Sequence, residues 1–204
     1  MHEDHPEIRY IDEDHGLLSK NHDYDLKTNV LDNLNNVVFF DEMPDDGDDY
    51  IRIFGRGRSG RAYKFISARY IAPHPNLSKW KVIVPKANGS GTLGEVLSTP
   101  IVGQPLIGHT QSFMSIGCFE TEIEADALLK YVKTKFARTM LGILKITQDN
   151  PASKWKYVPL QDFTPDSDID WSQSVADVDK QLYAKYGLDE NEIDFIESHV
   201  KEME

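Results

Sequence analysis

The spacing of apolar positions changes once along this chain, near Phe119, and divides it into a strand-forming part and a helical part. Before that point the apolar residues come in short runs: Val37–Phe40, then Tyr50, Ile51, Ile53 and Phe54, then Ala62–Ala72, then Trp80–Val84. Two further strand candidates are Val96–Val102, which Pro100 restricts to an edge or broken strand, and Ser112–Phe119. The glycines between Gly55 and Gly60 join two of these runs into a hairpin. After Phe119, the residues Ile123, Leu128, Val132, Phe136, Met140 and Leu144 fall near helical spacing, and Thr121 with Glu124 forms a capping box. Together they predict one long helix over 121–146. A second helix from Ser172 carries Val175, Val178, Leu182 and Tyr186 inward and is capped by Gly187. A third starts at the box Asp189–Glu192 with Ile193, Ile196 and Val200 on its stripe.

Strands first and helices last is the order of an α+β domain. The expected architecture is a twisted, mostly antiparallel sheet over about 37–119 packed on the long helix, with a helical hairpin at 172–203 behind it. Residues 1–36 mix acids, asparagines and the histidines His2, His5, His15 and His22 with little periodicity. They read as an acidic, loosely ordered lead-in to a domain over 37–204, β-rich over 37–119 and helical over 120–204.

Charge sharpens this picture. The chain has a formal net charge of −12, yet from Ile51 to Gly94 it carries Arg52, Arg56, Arg58, Arg61, Lys64, Arg69, Lys79, Lys81 and Lys86 and no acid at all. A basic strip on an acidic protein is the footprint of a surface that meets phosphate, which makes nucleic acid the leading partner. The plainer alternative is a basic sheet face neutralised by the acidic segment just before it, Asp41–Asp49. The aromatics Phe54, Tyr63, Phe65, Tyr70 and Trp80 read mainly as core. With Tyr63 and Phe65 facing inward, Lys64 falls on the outer face. No apolar run reaches the roughly 20 residues that span a bilayer, and no basic start leads into an apolar stretch. The expectation is a soluble cytoplasmic chain without membrane contact. The single cysteine, Cys118, fits a reducing compartment and reads as a small core residue.

Motifs of chemistry are weak. Gly55-Arg56-Gly57-Arg58-Ser59-Gly60 matches G-x-G-x-x-G, but a dinucleotide site needs a helix right after the glycines and an acid about 20 residues on. Here Ala62–Ile71 reads as a strand and the next acid is Glu95. The four N-terminal histidines lack metal-ligand spacing, and Asp166, Asp168 and Asp170 lack the glycine and glutamate of a calcium loop. Asp25-Leu26-Lys27 after Pro6-Glu7 matches the acid, acid-x-lysine arrangement of metal-dependent nucleases only loosely.

The second half has more specific strings. Lys133-Thr134-Lys135-Phe136-Ala137-Arg138-Thr139-Met140-Leu141, Lys145-Ile146-Thr147-Gln148-Asp149 and Tyr157-Val158-Pro159-Leu160-Gln161-Asp162-Phe163 are followed by Ile169-Asp170-Trp171. Leu182-Tyr183-Ala184-Lys185-Tyr186-Gly187-Leu188 and Glu192-Ile193-Asp194-Phe195-Ile196-Glu197 complete the series. This series resembles the C-terminal part of type II adenine-specific DNA methyltransferases and type IIG restriction-modification enzymes, well over 110–204 and more loosely over 50–110. In those enzymes the C-terminal region is the target recognition domain, while an N-terminal domain binds S-adenosylmethionine and methylates adenine N6. The catalytic Asn-Pro-Pro-Tyr/Phe signature is missing; Asn150-Pro151-Ala152 is the nearest approach. The resemblance therefore implies sequence-specific recognition of double-stranded DNA without chemistry in this chain, alongside a catalytic methyltransferase domain or subunit. S-adenosylmethionine, and Mg²⁺ for any cleavage, would belong to the parent enzyme, an N6-adenine methyltransferase or bifunctional restriction enzyme, and no cofactor to this chain.

On that reading the Arg56–Arg61 turn, with Arg58, and the glycine loop with Asn88 and Ser90 enter the major groove. Arg52, Lys64, Arg69, Lys79 and Lys86 contact phosphates and set register. Two other classes stay open: a protein-interaction module docking its basic strip on an acidic partner, and a small metal-dependent nuclease using Asp25.

Overall fold

A computed structural model describes residues 1, 3–8, 18–19, 22–87, 93–94, 97–145 and 147–203. In chain order the elements are strands β1 (Leu18–Ser19) and β2 (His22–Leu26), helix α1 (Val30–Asn33), and strands β3 (Tyr50–Gly57) and β4 (Gly60–Ser67). Strands β5 (Trp80–Pro85), β6 (Ile101–Gly103), β7 (Ile107–His109) and β8 (Phe113–Phe119) follow. Helices α2 (Glu122–Lys133), α3 (Lys135–Leu144), α4 (Val175–Tyr186) and α5 (Glu190–His199) complete the chain, with 3₁₀ turns at Ala68–Tyr70 and Ala152–Tyr157. The architecture is α+β. The chain forms two compact units, one of residues 1–79 and 103–114, the other of 80–102 and 115–204.

In the first unit the strand order is β4-β3-β7, with β3 antiparallel to β4 and parallel to β7. Because side chains alternate across a strand, Ile51, Ile53 and Ile66 share one face. That face is buried against Ile8, Val30, Leu31, Leu34, Val38 and Phe39. The segment 1–36 thus supplies Ile8, Val30, Leu31 and Leu34 to the core instead of leading into it, and residue 37 is not a boundary between units. Val37–Phe40 is not a strand: it makes isolated bridges alone, Phe39 with Asn35 and Phe40 with Phe65, while Val38 and Phe39 are core. The single sheet expected over 37–119 is divided into separate small sheets, since β5 pairs with β6 and β8 and not with the hairpin.

In the second unit the order is β6-β5-β8, and α2 lies against β5. A central strand covered by a helix buries successive residues, and Lys81–Pro85 are all buried instead of alternating. Lys81, part of the basic run, is therefore 1% exposed, and burial pushes its ammonium pKa down to about 8.

The helix expected over 121–146 is two helices. Thr134 adopts an extended backbone (φ −58°, ψ 148°) and becomes the N-cap of α3, its hydroxyl accepting from the Ala137 N–H at 3.1 Å and donating to the Tyr131 carbonyl at 2.7 Å. The amides of Lys135 and Phe136 donate to the two carboxylate oxygens of Asp179 on α4, both at 2.9 Å. Three otherwise orphaned N–H groups of α3 are satisfied in this way. The spacing Val132, Phe136, Met140 runs straight through the break, so periodicity alone does not register it. The capping boxes at Thr121 and Asp189 are present, and α4 ends at Gly187 in the left-handed conformation.

Asp179 is 2% exposed, and burial raises its pKa to about 6. The unfolded chain releases this proton near 3.8, before the folded chain does, so the carboxyl draws stability down as pH rises from about 4 to about 6. Asp179→Ala, which strands two buried amides, is expected to cost about 2–3 kcal/mol in denaturant unfolding. Asp179→Asn is expected to remove the fall in stability between those pH values.

A candidate nucleic-acid interface on the β3–β4 hairpin

The face of β3 and β4 opposite the isoleucines carries the pairs Arg52↔Phe65, Phe54↔Tyr63 and Arg56↔Arg61. Gly57 pairs with Gly60, leaving Arg58 and Ser59 as the two-residue turn. Gly60 has φ +124°, and a side chain built there would meet nothing within 4 Å, so the tip is slender and stands in solvent. Gly55 serves packing instead: a Cβ there would sit 2.6 Å from Leu31 Cδ1 and 2.8 Å from Thr110 Cγ2, both on fully buried residues. The G-x-G-x-x-G string is thus accounted for by one close helix contact and one tight turn.

Aromatic rings hold the arginines in place. The Arg52 guanidinium lies 5.5 Å from the Tyr63 ring centre and donates to Gln104 Oε1 at 3.3 Å. Arg61 lies 5.6 Å from the ring of Phe113. Phe54 links the two, with ring centres 4.8 Å from Tyr63 and 4.6 Å from Phe113. Partial desolvation, then the charge of Arg56, lowers the pKa of Arg61. Neither Arg56 nor Arg58 forms an ion pair with a described residue. Arg56 and Arg61 stand directly opposite on paired strands, so positive charge is concentrated at this end of the ribbon.

The remaining bases divide differently from the expectation. Tyr63 is 40% exposed on the arginine face, and Lys64 is 9% exposed on the isoleucine face, the reverse of the arrangement expected. Three isoleucines outweigh one tyrosine in deciding which face is buried. The Lys64 ammonium donates to Asp41 at 2.5 Å and to Asn35 at 2.9 Å, so its charge is engaged in an internal ion pair. Arg69 is flanked by Asp48 at 3.5 Å and Asp4 at 4.0 Å and lies over Tyr70. The acidic segment before the hairpin therefore neutralises these two bases, as the plainer alternative anticipated. Lys79 is half-buried in the first unit, whereas Lys86 is exposed in the second, where its carbonyl accepts from the Asn150 N–H at 2.7 Å.

Asn88 and Ser90 lie outside the described residues, as do His2 and His15 and the side chain of Asp25. Cys118, expected in the core, is exposed. Among the described residues no three His, Cys, Asp or Glu side chains converge as metal ligands would, and no helix is long and apolar enough to cross a membrane. Tyr63, Phe113 and Gln104 belong to the site although charge did not point to them. Alternation alone would have found Tyr63, two residues from Arg61. Comparisons with protein families, with characterised proteins and with solved structures find no match to this chain.

Gly55→Ala is expected to cost about 1–3 kcal/mol, because neither Leu31 nor Thr110 has room to retreat. Denaturant unfolding of the variant checks this.

Proposed function

We propose that this chain binds double-stranded DNA through the tip of the β3–β4 hairpin, as the non-catalytic target recognition part of a restriction-modification adenine methyltransferase or endonuclease. The observation that carries the reading is the cross-strand pair Arg56/Arg61, with Arg58 between them on a slender turn and Arg52 further down the same face. A two-stranded ribbon fits the major groove, and arginine presents a fork of donors to guanine O6 and N7 or to phosphate oxygens. Arg52 and Arg61, steadied by their aromatic neighbours, suit backbone contacts, and Arg56 and Arg58 suit base edges. The strings of the second half support the placement in such an enzyme, where S-adenosylmethionine binding and adenine methylation reside in the partner domain or subunit.

The test is fluorescence anisotropy with mixed-sequence duplex DNA across a salt series. Arg56→Glu with Arg58→Glu is expected to weaken binding by about tenfold or more and to flatten the salt dependence by about two contacts. Lys64→Gln is expected to leave that slope unchanged. Unaltered affinity in the double variant, or binding to heparin as tight as to any duplex, would count against the assignment.

A further inference from the structure

The tip of the β3–β4 hairpin offers hydrogen-bond donors and little else. From Gly55 to Arg61 the polar side chains are Arg56, Arg58, Ser59 and Arg61. A guanidinium carries five N–H donors in a fixed fork and no acceptor, whereas a serine hydroxyl both donates and accepts and so does not discriminate. Arg56 and Arg58 are exposed, and neither is in an ion pair with a described residue that would hold its fork against the protein. Side chains able to accept, or to pair through an amide, lie elsewhere. By alternation Gly57 faces the isoleucine side, and a Cβ there would sit 3.5 Å from Asp32 Oδ1, which puts that carboxylate behind the tip. Gln104 is beside Arg52, further back along β3, and its Oε1 already accepts from that arginine at 3.3 Å.

The four bases present different edges to such a fork. In the major groove guanine alone sets two acceptors, O6 and N7, side by side. Adenine places the N6–H donor beside its N7, cytosine offers N4–H, and thymine has one acceptor and a methyl group. A fork made only of donors therefore meets a donor at adenine and at cytosine, and an unmatched donor costs free energy. The tip discriminates by what it lacks. With no carboxamide or carboxylate among residues 55–61, guanine is the base whose edge it satisfies in full.

We infer that the hairpin selects guanine through the major groove, with the forks of Arg56 and Arg58 each taking O6 and N7 of one guanine. The inference rests on the reading of the hairpin as a DNA-binding element and names the base it takes. Fluorescence anisotropy with the full chain compares a G·C-rich duplex with two copies of the same sequence. In one every guanine is replaced by 7-deazaguanine, which lacks N7; in the other by inosine, which keeps O6 and N7 but lacks the minor-groove amino group. A duplex of A·T pairs alone has the same length and charge. Loss of N7 is expected to weaken binding about fivefold or more, as is the A·T duplex, while inosine leaves affinity within about twofold. Arg56→Lys with Arg58→Lys keeps the charge, and hence the salt slope, but is expected to shrink the preference for guanine severalfold, because an ammonium has no planar fork. Both side chains stand in solvent, so the unfolding midpoint of this variant should match the parent. Equal affinity for all the duplexes would overturn the inference and leave the hairpin as a sequence-independent binder. Weakening by inosine and not by 7-deazaguanine would overturn it in favour of the minor groove. A lysine variant that keeps the whole preference would assign the selection to other residues and overturn it too. If the unaltered chain binds none of the duplexes, the hairpin reading falls and takes the inference with it.

Discussion

Burial of Ile51, Ile53 and Ile66 against Ile8, Val30, Leu31, Leu34, Val38 and Phe39 fixes the direction of every other side chain in the β3–β4 hairpin. With period two along each strand and direct pairing across it, the arginines at 52, 56 and 61 have only the opposite face left. A slip of one residue would bring the cations against the core and the isoleucines into water. The cationic focus is therefore secured by the apolar one, and Gly55 lets helix α1 and Thr110 close on the sheet tightly enough to hold that register.

The bases of the run are not all displayed alike. Lys81 is enclosed in the second unit, Lys64 is tied to Asp41 and Asn35 behind the hairpin, and Arg69 is flanked by Asp48 and Asp4. These are three different reasons for a basic residue to sit among acids or apolar groups. Only two of the three bases are partnered by the acidic segment. What remains on the hairpin, Arg52, Arg56, Arg58 and Arg61, is smaller and more concentrated than nine residues in sequence suggest, which favours a short anionic footprint over a long groove.

The α+β class, the hairpin, the two capping boxes and the two C-terminal helices were legible because each rests on a local pattern: a run, a turn or a cap. The break at Thr134 was not, because Val132, Phe136 and Met140 keep their stripe across it and the carboxylate that completes the cap comes from Asp179, far along the chain. The arginine tip of the candidate site was visible as charge between glycines. The face on which Tyr63 and Lys64 fall was not, because the alternation of β4 fixes two sets of residues but not which set is buried. That choice is made by α1 and Ile8, in a segment whose short apolar stretches carry no clear period.

The cap that Asp179 supplies has a bearing on how the second unit assembles. The first turn of α3 cannot satisfy its amides from its own sequence beyond Thr134, so it waits on a carboxylate more than forty positions downstream. A nascent chain that ends before α4 therefore carries α3 with two bare donors at its start, and helix order should emerge jointly in both elements, with no stable α3 ahead of α4. The same carboxylate occupies the positive end of the helix, so α3 offers no amide cradle to a phosphate.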